Sequence, residues 1–213
     1  MIRPPGFRGA AFGTAEHGDG RLDAEARSRV SRSLGISDDW AFVTQVHGAK
    51  VVEALGAGRL GEADAMFTTR PGLPLAVATA DCVPVVLEGA GVVALVHAGW
   101  RGAVAGVVTE TLGRLDAVGR RADRAAIGPS IGPCCYEVGE DVAVRFGAFA
   151  ARTRRGRTSV DIAGYLEDQI RALGTGIEVW RSDACTYTSE ALHSYRRNRT
   201  RRRQVALGWL DAA

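Results

Sequence analysis

The stretch Leu75-Ala76-Val77-Ala78-Thr79-Ala80-Asp81-Cys82-Val83-Pro84-Val85-Val86-Leu87-Glu88-Gly89-Ala90-Gly91-Val92-Val93-Ala94-Leu95-Val96-His97 decides how this chain folds. Its charged residues, Asp81 and Glu88, fall at the turns and do not alternate with the apolar ones. Alternation would mark a strand with one wet face, whereas short unbroken apolar runs between turn signals mark strands buried on both faces. The stretch therefore reads as three buried strands, at 75–80, 83–88 and 91–96. Upstream, the Val-containing runs at 41–46 and 50–55 read as two more. Downstream, Val104, Val107, Val108, Thr111 and Leu112 place one apolar face on a helix from Ala103 to Leu115. Ala125-Ala126-Ile127-Gly128 reads as a short strand entering the turn Pro129-Ser130-Ile131-Gly132-Pro133. Helices are expected at 138–149 and from Asp161, an N-cap, to Leu173 before Gly174. Late strands are expected at 177–180 and 205–210. Strands come first and are then mixed with helices, which predicts an α+β (mixed α/β) fold with mixed β-sheets and packed helices. One domain over residues 1–213 is expected, with the Gly and Pro residues of 56–61 and 71–74 in loops inside it.

Composition narrows the function classes. Hydrophobic residues make up 46% and charged residues 24% of the chain, ordinary globular usage that allows a sizeable core. The formal charge of +3 is too small to mark a nucleic-acid binder. The arginines at 196, 197, 199, 201, 202 and 203 read as a solvated edge, because aromatic interleaving stops at Tyr195. The N-terminus has no apolar leader, and no run offers the roughly 20 apolar residues of a membrane span. A cytoplasmic protein without membrane or nucleic-acid partners is expected, as a monomer or weak homo-oligomer. In that compartment Cys82, Cys134, Cys135 and Cys185 favour thiol or metal chemistry over disulfides. Adjacent Cys134 and Cys135 point apart if the chain is extended there, which argues against a shared metal.

Three residues stand at strand ends. His47 closes Phe42-Val43-Thr44-Gln45-Val46, Cys82 follows the first buried run, and His97 closes the third. Two imidazoles and a thiolate make a three-ligand zinc set with an open fourth position, as catalytic sites have. Each residue alone has an ordinary reading, as a strand cap or a small core hydrophobe. Asp81 is a charge dropped between apolar runs and needs partners or water. Trp100-Arg101, bracketed by glycines, opens a helix, where free N–H groups suit an anion.

Four segments carry a resemblance to a known family: Gln45-Val46-His47-Gly48; Ala63-Asp64-Ala65 with Thr79-Ala80-Asp81-Cys82-Val83-Pro84-Val85; His97-Ala98-Gly99-Trp100-Arg101-Gly102; and Ile127-Gly128-Pro129-Ser130-Ile131-Gly132-Pro133. Cys185-Thr186 and Ser194-Tyr195-Arg196-Arg197 add a fifth. In this order they resemble the YfiH family, called laccase-domain or polyphenol oxidase proteins and also purine nucleoside phosphorylases and peptidoglycan-editing factors. The resemblance implies that His47, Cys82 and His97 bind a catalytic zinc (Zn2+). It also implies a single α+β domain that acts on purine nucleosides by phosphorolysis and by adenosine deamination. The chain departs from the family in two places. The N-terminal glycine-serine loop and Asn-Arg pair are missing, with Phe12-Gly13-Thr14 and His17-Gly18-Asp19-Gly20-Arg21 nearest to them; the usual C-terminal Thr-Gly-Arg reads Thr200-Arg201-Arg202.

The implied chemistry assigns roles. Deamination needs a zinc-lowered water pKa and a carboxylate to carry the proton, for which Asp81 is the first candidate and Asp64 the second. Phosphorolysis needs a cation against the phosphate, for which Arg101 is the first choice and Arg196 the second. Gln45 could hydrogen-bond the base or ribose. The four histidines (17, 47, 97 and 193) are too few for a multicopper centre, though copper (Cu2+) in the three-ligand site would give phenol oxidation by metal substitution. Other readings are a peptidoglycan-precursor editing hydrolase on the same scaffold and a metal-free hydrolase with Cys82 as nucleophile. A structural zinc completed by another Cys or by His193 is the non-enzymatic alternative.

Overall fold

The computed structural model describes residues 1–173 and 176–211. In chain order the elements are β1 (Ala10–Phe12), α1 (Ala24–Leu34), β2 (Ala41–Thr44), β3 (Val51–Glu53), β4 (Gly58–Glu62), β5 (Ala65–Thr68), β6 (Leu75–Thr79), β7 (Val83–Gly89) and β8 (Val92–Ala98). There follow α2 (Trp100–Val104), α3 (Val107–Ala117), β9 (Arg124–Ile127), α4 (Glu140–Ala143), a 3-10 helix (Val144–Phe149), β10 (Ala150–Arg152), β11 (Thr158–Val160), α5 (Ile162–Leu173), β12 (Glu178–Arg181), α6 (Tyr195–Asn198) and β13 (Gln204–Gly208).

Two mixed sheets carry the fold. One has strand order β1-β13-β6-β2-β4, the other β12-β9-β7-β8-β5-β3, and β10-β11 form a separate ribbon. The pleat sends successive side chains to opposite faces. Val85, Leu87, Ala94 and Val96 thus meet Val107, Val108, Leu115 and Leu166 of α3 and α5. From the other face Val86, Val93 and Leu95 meet Leu75, Val77 and Ala206 of the five-stranded sheet. The far side of that sheet, Ala76, Val205 and Leu207, is covered by Val30 of α1 and by Trp40. The layers run helices, sheet, sheet, helix, so β6, β7 and β8 lie between two apolar neighbours. This mixed α/β architecture explains the unbroken apolar runs.

Several sequence expectations need correction. The helix expected at 103–115 is two helices, because Gly106 adopts φ +80°, a left-handed conformation that ends the α2 turn and restarts the chain as α3. The helix expected at 138–149 is α4 followed by 3-10 geometry, with Gly147 at φ +52° inside it. The stretch 56–61, expected as loop, enters β4 (Gly58–Glu62), paired in parallel with β2; β4 is half-exposed, so it lacks the apolar run that marks a buried strand. The N-cap at Asp161 is in place, its Oδ1 accepting from Gly164 N at 2.9 Å. Helix α1 was absent from the sequence reading although its signals are present. Asp23 caps its start through Ala26 N, and Gly35 ends it at φ +68°.

Register positions the site. β5 pairs antiparallel with β8, Ala65 opposite Val96, which sets Asp64 beside His97. β7 pairs antiparallel with β8, Val83 opposite Ala98, which sets Cys82 beside Gly99. β2 runs parallel to β6, so His47 leaves its strand at the same end as Asp81 and Cys82.

Candidate metal centre and its cavity

His47, Cys82 and His97 converge, each with a donor atom within 4.8 Å of the other two. Cys82 Sγ lies 3.8 Å from His47 Nε2, and the two imidazoles meet edge to face with centroids 4.9 Å apart. A zinc bound at ~2.3 Å by sulfur and ~2.0 Å by nitrogen with tetrahedral angles needs a sulfur–nitrogen separation of about 3.5 Å. The Cys82–His47 pair needs to close by only a few tenths of an ångström to hold such an ion, and His97 has a donor within 4.8 Å of both.

Asp64 organises this set. Its carboxylate is fully buried and accepts from His97 Nδ1 at 2.8 Å, Gly48 N at 2.7 Å, His47 N at 2.9 Å and Val46 N at 3.2 Å. A carboxylate only accepts, so His97 Nδ1 carries the proton and Nε2 presents its lone pair to the site. The three N–H groups hold His47 at φ +63°, a left-handed conformation that a non-glycine residue avoids without such support. Asp64 therefore orients two of the three candidate donors, His47 and His97. Burial alone would raise its pKa, but the His97 and backbone hydrogen bonds prevail and hold it below its usual value.

Without a metal the donors form a charged pair. Burial pushes the Cys82 thiol up, yet the His97 charge and the His47 hydrogen bond bring it down to about 6. Burial pushes His97 down, yet the Cys82 charge and the Asp64 hydrogen bond bring it up to about 9. Both shifts favour the thiolate, the form a metal requires. Gly99 leaves room for it, since a Cβ there would stand 2.7 Å from His47 Cδ2 and 3.3 Å from Cys82 Sγ. Gly99→Ala is expected to weaken metal binding about 10–100-fold, as disturbed ligand support does, with the fold intact by circular dichroism.

The centre lies in a cavity of about 600 Å³. Asp81, Gln45, Arg101 and Arg196, all named from the sequence, line it with the three ligands. Asp81 adopts φ +99° and accepts from Thr186 Oγ1 and Arg196 N, both at 2.7 Å. Gln45 is engaged with β6, accepting from Ala78 N at 3.0 Å and donating to Ala78 O at 2.9 Å. The Arg101 guanidinium lies 4.4 Å over the Trp100 ring, and that of Arg196 lies 5.0 Å over Tyr136. His17 and His193 are not in this cavity: His17 bonds Thr14 and the N-terminal amine, and the His193 backbone bonds Gln204.

Three further arginines line the cavity: Arg21, Arg59 and Arg203. Arg21 is paired with Asp19 at 3.0 Å and donates to Gln45 Oε1. It belongs to the segment nearest the family's missing Asn-Arg pair, and that position was the available sequence signal. Arg59 sits on β4, where the loop reading concealed it.

Comparison with known proteins agrees with these motifs. Residues 5–211 match the family described as multi-copper polyphenol oxidoreductase laccase. A purine nucleoside phosphorylase of Deinococcus radiodurans is 41% identical over 189 residues, 84% of this chain and 74% of the relative. The Escherichia coli relative named purine nucleoside phosphorylase YfiH is 38% identical over 87% of this chain and 80% of its own. Among solved structures, YlmD from Geobacillus stearothermophilus superposes with a TM-score of 0.82 at 27% identity, covering 99% of this chain and 98% of that one. YfiH of Bacillus licheniformis shares the fold, with a TM-score of 0.83 at 23% identity over 94% of this chain and 92% of that one. By motif, fold and relatives alike, the chain belongs to the YfiH family of laccase-domain proteins.

Proposed function

We propose that this protein is a zinc-dependent purine nucleoside phosphorylase with adenosine deaminase activity, turning adenosine, inosine or methylthioadenosine into free base and the sugar 1-phosphate. The observation that supports this most is the joining of three metal donors and five arginines in one cavity of about 600 Å³. That volume lies within the range of small-molecule sites and suits a nucleoside with a phosphate. Relatives named purine nucleoside phosphorylase support the same class. A cytoplasmic location goes with these substrates; among the described residues no helix is long and apolar enough to cross a membrane.

A bound zinc supplies Lewis acidity and a lowered water pKa. The chain's own residues do the rest. Phosphorolysis breaks the C1′–N bond and forms a C1′–O bond to phosphate, and the base leaves with the electron pair. Arg101 is exposed beside the three metal donors and holds the phosphate, with Arg196 also lining the cavity. Gln45 acts in substrate binding through Arg21, whose guanidinium it fixes. In deamination the water oxygen adds to C6 and the C6–N bond breaks; Asp81 takes the proton of the attacking water and passes it to the departing amine, which leaves as ammonia. The two Asp81 carboxylate oxygens each accept one hydrogen bond and keep a second lone pair.

The test is to incubate the pure protein with adenosine, inosine and methylthioadenosine, with and without phosphate. Free base formed only with phosphate is the expected result for phosphorolysis, and inosine formed from adenosine in either condition the result for deamination. If neither free base nor inosine forms, the proposal is overturned. Arg101→Ala is expected to lower kcat/KM for phosphate about 10–100-fold, the loss of one charge-assisted hydrogen bond of about 1.5–3 kcal/mol. A second reading, copper-dependent phenol oxidation at the same three donors, is favoured by the family's description and by the affinity of copper for nitrogen and sulfur.

A further inference from the structure

The remaining three cysteines meet in space. Cys134 and Cys135 do not extend apart, as the sequence reading expected, because residues 133–135 form a turn in which Cys135 N and Tyr136 N both donate to Gly132 O at 3.0 Å. The turn brings Cys134 Sγ to 3.1 Å from Cys135 Sγ and 3.7 Å from Cys185 Sγ. All three sulfurs lie within 4.8 Å of one another, and all three residues are partly accessible. Gly132 N donates to Cys185 Sγ at 3.3 Å, so one sulfur already has the hydrogen bond that favours a thiolate.

We propose that Cys134, Cys135 and Cys185 form a second metal site, a trigonal thiolate set for one thiophilic monovalent d10 cation, copper(I). Three sulfurs around a cation at roughly 2.3 Å, the usual zinc–thiolate distance, stand about 4 Å apart. The observed pairs need to open by less than an ångström. Soft thiolates select copper(I) and zinc. Zinc in a structural site closes with four protein ligands, and among the described residues no fourth His, Cys, Asp or Glu joins this group. Three-coordinate copper(I) needs no fourth. The cation enters as copper(I) and leaves as copper(I); the thiols give their protons to solvent, and no electron moves.

The site would also tie together two loops that hold Asp81. Ile131 N, three residues before Cys134, donates to Asp81 O at 2.9 Å. Thr186, next to Cys185, donates to Asp81 Oδ1 at 2.7 Å. The cluster is thus separate from the His47–Cys82–His97 centre but mechanically joined to its cavity.

The test uses Cys82→Ala, which removes the first centre, and titrates it anaerobically with copper(I) against a colorimetric copper(I) chelator. One copper(I) per chain is expected, with thiolate-to-copper ultraviolet absorption and a raised Tm. Adding Cys134→Ser and Cys185→Ser should remove the bound copper and the absorption. If Cys82→Ala does not fold, zinc-saturated wild type is compared with zinc-saturated Cys134→Ser, and only the former should take up copper(I). Equal uptake with and without these thiols overturns the proposal. So does a reduced protein that takes up none while its thiols stay free.

Discussion

Replacing Asp64 with alanine is expected to cost about 3–5 kcal/mol of stability and to abolish metal binding. The magnitude is that of breaking a buried charge pair, because the change leaves the His97 ring and three N–H groups without their acceptor. Asp64→Asn should recover part of the stability but not the metal affinity. The amide oxygen can still accept from the backbone, while the negative charge that makes His97 a better ligand is gone. Denaturant titration and metal analysis of both variants check this. The pH dependence has a definite sign. The folded carboxyl is held below its usual value of 3.8, so its contribution is full above that value and is lost as pH falls below it, through the lower folded pKa. Wild type should therefore lose more stability between neutral pH and pH ~3 than Asp64→Asn does. Equal slopes would show that the buried carboxylate does not carry the acid sensitivity.

Cys82→Ala should have the largest effect on activity. Loss of one of three donors is expected to leave the purified protein without metal at this centre, and kcat/KM should fall by roughly a thousandfold or more, about 4 kcal/mol of lost transition-state stabilisation. Stability should fall by less than in Asp64→Ala, because Cys82 is partly accessible in a loop, whereas Asp64 is fully buried and holds three backbone N–H groups. That split between activity and stability separates a catalytic from a structural metal. Wild type purified without added metal should carry about one zinc per chain at this centre. If metal-free protein is active and is inactivated by stoichiometric alkylation of Cys82, the nucleophile reading replaces the metal reading.

Much of the site was legible in the sequence because its residues are fixed to strand ends. His97 is the last residue but one of β8 and Cys82 follows β6, and both strands announce themselves as unbroken apolar runs. The expected strands at 41–46, 75–80, 83–88 and 91–96 correspond to β2, β6, β7 and β8 for this reason. Two further features have no such run to mark them. β4 is half-exposed and exists through its pairing with β2, and the α2–α3 break depends on a single left-handed glycine.

By itself the sequence determined which residues could hold a metal, the mixed α/β class and the family, because buried strands and contiguous motifs are local patterns. Only the tertiary structure decided what those residues do together. Asp64 and His97 are 33 positions apart, as are Gln45 and Ala78, and Asp81 and Thr186 are 105 apart. Contacts of that span are set by strand register and layer packing, which no local spacing encodes. The same reason turned two neighbouring cysteines, expected to point apart, into a cluster with a third from 51 residues away.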